Sequence, residues 1–148
     1  MAFLRIRENG EYLTNKLVPV DGFIESFVRC RYYRNITGDM AEVWKTEILK
    51  RFPFPEFSGE KFLSEDVVWV QMSEYYDMVF FNKAIYISDY LEGGLTKGRR
   101  KHNWYSPNGS MHRGEVHLKS NLPFIVLTNK ADKIAVTKVD EEVNKIKE

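Results

Sequence analysis

Residues 3–7, F-L-R-I-R, alternate apolar and charged side chains, which is the period of a half-buried strand. E-N-G-E at 8–11 supplies turn chemistry, and residues 12–18 are expected to return as a second strand. Pro19 interrupts the pattern, after which Asp21 is placed to cap a helix over 22–33, where Phe23, Phe27, Cys30 and Arg31 fall near helical spacing. T-G-D at 37–39 is a break, and 40–44 reads as a short extended segment. Thr46 is then expected to cap a short helix, E-I-L-K-R-F, closed by Pro53.

The two prolines of F-P-F-P at 52–55 restrict the backbone at and before each of them, so this loop is stiff. Beyond it, Ser64 precedes an apolar set at Val67, Val68, Trp69, Met72 and Tyr76, one face of a helix ending near 76–77. Residues 78–89 are rich in β-formers and predict two short strands or one bent strand. G-G-L-T at 93–96 and S-P-N-G-S at 106–110 carry loop and turn signals. Further β-like runs lie within 122–139, and 140–148 is a charged tail that can form a short helix. With no internal repeat, low-complexity tract or linker, one domain over 1–148 is expected. Its class is mixed α/β, with short helices packed on a small mixed sheet.

Composition narrows the class without identifying it. Of 148 residues, 43% are hydrophobic and 29% charged, which suits a single globular core. A net charge of +1 provides no field to attract nucleic acid, so no nucleic-acid partner is expected. The lone Cys30 excludes an internal disulfide and fits a reducing compartment. No run reaches the roughly eighteen apolar residues of a membrane span, and the start lacks a secretory apolar stretch, so the chain reads as cytoplasmic. Aromatics stand high at 14%, enough to line a carbohydrate or nucleotide site, although aromatic rings more often fill cores.

Candidate chemistry concentrates at Ser64-Glu65-Asp66. The plainest account is a helix start, since serine is a favoured N-cap and first-turn carboxylates complement the helix dipole. The surroundings add to it. Trp69 lies one turn beyond Asp66 and shares its face, and Glu60 on the incoming loop can bring a second carboxylate to the same place. A helix N-terminus keeps such a carboxylate ionised, ready to accept a proton at neutral pH. The three histidines, His102, His112 and His117, match no compact metal spacing and are expected in loops.

The ordered segments F-P-F-P-E-F-S-G-E-K-F-L-S-E-D-V-V-W, M-V-F-F-N-K-A-I-Y-I and Y-L-E-G-G-L-T-K, preceded by D-M-A-E-V-W-K-T-E-I-L-K-R-F, resemble bacterial family 2 glycosyltransferases of the polysaccharide-building kind. The resemblance covers about residues 39–100. It implies the acceptor-side, C-terminal half of an A-type fold, with Asp66 or Glu65 as the base that deprotonates an acceptor hydroxyl. It further implies inversion by a single in-line displacement from a nucleotide-sugar donor to a saccharide or lipid-linked acceptor. Glu60 and Trp69 would then border the substrate. Gly94 and Thr96 would belong to a flexible loop near the donor diphosphate, where Lys97, Arg99, Arg100 and His102 could meet phosphate oxygens.

Family members also carry a nucleotide-binding half with an Asp-x-Asp motif that holds Mg or Mn, and no Asp-x-Asp occurs in this chain. The expectation is therefore a partial domain that binds no metal by itself and does not turn over alone. In the complete enzyme it would lie in the cytoplasm or at the inner membrane face. Self-association through an uncovered apolar surface is the accompanying expectation. Two other classes stay open: a non-catalytic carbohydrate-binding or interaction module, and a structural or regulatory remnant.

Overall fold

A computed structural model of the chain describes residues 1–90, 92, 94 and 103–122. Its centre is a four-stranded mixed sheet built from β1 (Ala2–Ile6), β2 (Phe23–Ser26), β3 (Met40–Glu42) and β4 (Asp77–Ile87), in the order β2-β4-β1-β3. β1 runs parallel to β4 and antiparallel to β3, with Ala2 opposite Glu42 and Leu4 opposite Met40. β2 pairs antiparallel with the first residues of β4, Phe23 opposite Phe80. The period of two puts Ala2, Leu4, Met78 and Phe80 on one face, where they are buried with Val18, Cys30, Ile36 and Met40.

Among the described residues, helices α1 (Thr46–Leu49), α2 (Asp66–Met72) and α3 (Pro107–Lys119) accompany the sheet. A π-helical turn spans Arg29–Tyr33. α2 is the hub. Val67, Val68 and Met72 pack against Trp44, Ile48, Leu49 and Phe52 on one side. Val70 packs with Phe27, Val116 and Leu122 on the other, tying α2 to the π-turn and α3. Each such fully buried side chain contributes about 1.5–3 kcal/mol, so a seven-residue helix too short to persist alone is held by tertiary contact.

Several expectations need correction. Residues 22–33 do not form one helix: Phe23–Ser26 is a strand, because pairing with β4 satisfies its backbone and outweighs the local helical spacing. Residues 12–18 contribute only isolated bridges, Ile6 to Tyr12 and Thr14 to Gly38. Thr46 lies inside α1, with Lys45 at the cap position and no side-chain cap bond. α2 stops at Met72, short of residues 76–77. Of the two alternatives expected from residue 78 onward, the single strand is the one observed, Asp77–Ile87, and its pairing with β1 is interrupted by register shifts.

The largest departure is S-P-N-G-S. It opens α3, with Pro107 in the first turn, where a missing N–H costs nothing. The mixed α/β class and the small mixed sheet stand as expected. The runs beyond Leu122 and the charged tail lie outside the described residues. Among the described residues, no helix is long and apolar enough to cross a membrane.

Candidate functional site

The start of α2, the π-turn, the β1–β3 edge and α3 enclose an open cavity of about 640 Å³. Its walls carry three arginines, Arg5, Arg31 and Arg113, and four carboxylates, Asp39, Glu42, Glu65 and Asp66. These seven charges are not equivalent, and their partners sort them.

Asp66 is fully engaged. Arg113 Nε donates to Oδ1 and Oδ2 at 2.9 and 3.0 Å, and Arg113 Nη2 donates to Oδ2 at 2.6 Å. The Tyr32 hydroxyl donates to Oδ2 at 3.0 Å, and His117 Nε2 lies 3.3 Å from the same oxygen. Burial by itself would raise this carboxyl, but hydrogen bonds from His117 and Arg113, with the Arg113 charge, hold it far below the usual carboxylate range. Burial, followed by the charge of Asp66, pushes Tyr32 above its ordinary range, so the hydroxyl keeps its proton and serves as a donor.

This geometry argues against Asp66 as the preferred base. A carboxylate that already accepts from a guanidinium, a phenol and an imidazole has little affinity left for another proton. The expected ionisation is present, and its main sources are long-range partners on α3 and the π-turn. His117, expected in a loop, sits on α3, is only 3% exposed and closes this network, while His112 lies one turn and a half earlier on the same helix.

Asp39 is likewise occupied. The Tyr90 hydroxyl donates to it at 2.6 Å, and Arg5 Nη1 lies 3.6 Å away. Burial, then hydrogen bonding to Asp39, pushes Tyr90 up to about 12. Arg31 Nη2 donates to the Gly38 carbonyl, and its guanidinium lies over the Phe27 ring at 5.9 Å. Two carboxylates remain. Glu65, exposed at the N-terminal end of α2, and Glu42, partly buried on β3, make no ion pair with the described residues, and the Glu42 carboxyl accepts a hydrogen bond from its own backbone N–H. Burial pushes Glu42 up to about 7. The Arg31 charge opposes that rise, and the charges of Glu65 and Asp39 add to it.

Trp69 borders the cavity as its spacing from Asp66 predicts. Its indole stacks on Trp44 at 4.9 Å and packs edge-to-face with Phe54 at 5.7 Å, contacts that fix the ring in place behind the cavity. Glu60 does not join the carboxylates. It accepts from the Asn108 and Gly109 backbone N–H groups and from the Asn108 side chain, each at 2.8 Å, and so caps α3 across 48 residues of sequence. Gly94 is partly buried and is not part of the cavity wall. Thr96, Lys97, Arg99, Arg100 and His102 lie outside the described residues.

Sequence reasoning passed over Arg31, Tyr32, Glu42, Arg113 and His117. The two on α3 were reachable through Pro107 as a first-turn residue, with no further proline until Pro123. The other three carried no local signal, since their roles come from packing against distant segments. Among the described residues, the carboxylates of this cavity do not form a divalent-metal site. Asp39 and Asp66 are taken up by arginine and tyrosine, and no group of three or more His, Cys, Asp or Glu among the described residues is arranged to hold an ion. Comparisons with protein-family models, curated proteins and solved structures found no match.

Proposed function

We propose that the cavity is the acceptor side of an inverting glycosyltransferase site, with Glu65 as the general base and Asp66 as the anchor that fixes the start of α2. The observation that carries this reading is the division of labour between neighbours. Arg113, Tyr32 and His117 occupy Asp66, whereas Glu65 borders the same cavity, exposed and without an ion pair among the described residues. The Trp69 wall alongside suits the apolar face of a sugar ring, and the ordered resemblance over 39–100 supplies the reaction class.

In this mechanism an acceptor hydroxyl donates to Glu65. As its oxygen attacks the anomeric carbon of a nucleotide-linked sugar, the proton passes to the carboxylate. The bond from the anomeric carbon to the diphosphate oxygen breaks on the opposite face, and the configuration inverts. Gly94, Thr96, Lys97, Arg99, Arg100 and His102 remain the residues proposed for the donor side. The A-type fold fragment and the need for a donor-binding segment belong to the same proposal.

The test is transfer from a panel of nucleotide sugars, assayed for the chain alone and joined to the sequence encoded immediately upstream of it. The joined protein transfers and the chain alone does not. Glu65→Gln lowers kcat by about 10²–10⁴-fold while leaving the unfolding midpoint unchanged. Full activity in Glu65→Gln overturns the assignment. Saccharide binding without any transfer by the joined protein would favour a non-catalytic carbohydrate-binding module.

A further inference from the structure

The end of α3 sets where the chain leaves it. Asn121 has φ +53°, a left-handed conformation that asparagine tolerates better than most side chains. Its N–H donates to the Leu118 carbonyl at 3.0 Å, and the Leu122 N–H donates to the His117 carbonyl at 2.8 Å. This pair of bonds closes the helix and turns the chain away from its axis. Leu122 is then buried in one cluster with Phe27, Val70 and Val116, and the Tyr33 hydroxyl donates to the Asn121 carbonyl at 3.4 Å. The exit from α3 is thereby held near Phe27, the residue that follows β2 (Phe23–Ser26). Pro123 comes next and cannot continue a helix.

β2 lies at one edge of the sheet and pairs with β4 alone, through residues 77–80. Alternate N–H and C=O groups along its other side point away from the sheet. Among the described residues, the backbone of Phe23–Ser26 makes no hydrogen bond outside that pairing. Ile24 on this strand is 65% exposed. An open apolar edge of this kind is a template for any extended segment, and native folds cover it or charge it.

We propose that this edge is a docking surface for the chain's own residues 124–128, F-I-V-L-T, added as a fifth strand antiparallel to β2. Three observations select this occupant. The run is uncharged, rich in β-formers and about the length of β2, and a proline just before it suits entry to an edge strand. It begins two residues after Leu122, a reach of about 7 Å, from a point beside the Ser26 end of β2, which sets the antiparallel direction. So short a tether gives an effective concentration of order millimolar, which favours the linked segment over a second copy of the chain. The inference stands apart from the transferase reading, because no residue of β2 lines the cavity.

The test is NMR on the full, isotopically labelled chain. The expected result is a set of cross-strand nuclear Overhauser contacts between β2 and 124–128, with Ser26 near the start of the run and Phe23 near its end, unchanged on dilution. Val126→Pro, which removes a strand N–H, accelerates amide exchange in β2 about tenfold. Val143→Pro, within the charged tail, leaves that exchange unchanged.

The absence of contacts between β2 and 124–128 overturns the proposal, as does the reverse order of contacts. Contacts seen only between differently labelled molecules in a mixed sample give the edge to a second copy and overturn it too. So does exchange in β2 that is indifferent to Val126→Pro, or that responds equally to Val143→Pro.

Discussion

Replacing Arg113 by methionine keeps most of the side-chain stem and removes the guanidinium that grips Asp66. The Asp66 side chain is 15% exposed and the Arg113 side chain 33% exposed, so the pair is mostly withdrawn from water. Removing one partner of a buried ion pair costs about 3–5 kcal/mol. Tyr32 and His117 still contact the carboxylate and Arg113 is partly solvated, so the cost falls below that range, at about 2–3 kcal/mol. In urea this lowers the unfolding midpoint by about 1–2 M for a chain of this size. The double variant Asp66→Asn/Arg113→Met should be less damaged than the sum of its single changes, by about 2 kcal/mol.

The pH dependence gives a second reading of the same contact. The folded-state pKa of Asp66 is depressed, so its contribution is fully present above the ordinary carboxylate range and lost as pH falls through and below about 4. Arg113→Met returns Asp66 toward its ordinary value, so the variant loses less stability than the wild type between about pH 5 and pH 2. Equal urea midpoints, or parallel acid limbs for the two proteins, would refute this account of the site.

Glu60→Ala should lower the melting temperature by a few degrees through loss of the α3 cap and, under the proposed transferase reading, leave sugar transfer unchanged; a transfer defect in a fully folded variant would restore Glu60 to the site. Gly38→Ala should destabilise by at least about 3 kcal/mol, because Gly38 has φ +98° and an added Cβ would stand 2.0 Å from the Leu13 carbonyl oxygen; soluble expression with an unchanged melting curve contradicts this. The Cys30 thiol is 0% exposed and burial pushes it up to about 11, so it should resist thiol reagents until the chain unfolds; rapid labelling at neutral pH and low urea would show the core to be open.

Local pattern was informative where local chemistry decided the outcome. The alternation at 3–7, the β-rich run from 78 and the apolar face at 67–72 all correspond to observed elements, since burial of one face follows directly from side-chain period. It failed where a distant partner decided. Phe23–Ser26 carries helical spacing but is extended by β4, and Ser106–Ser110 carries turn residues but begins a helix whose cap, Glu60, arrives from another loop. That second failure hid the site itself. With α3 read as a loop, Arg113 and His117 had no reason to approach Asp66.

Glu65 and Asp66 show why the chemistry of a site cannot be read from adjacent residues. Both are acids in the first turn of α2 or just before it, so helix dipole and local sequence treat them nearly alike. What separates them is direction. A step of about 100° along a helix turns Asp66 toward α3 and the π-turn, where a guanidinium, a phenol and an imidazole converge, and leaves Glu65 facing solvent at the cavity edge. The more strongly ionised carboxylate is therefore the poorer base, because the interactions that depress its pKa also consume its lone pairs. Under the proposed transferase reading, proton acceptance falls to Glu65, which makes no ion pair among the described residues.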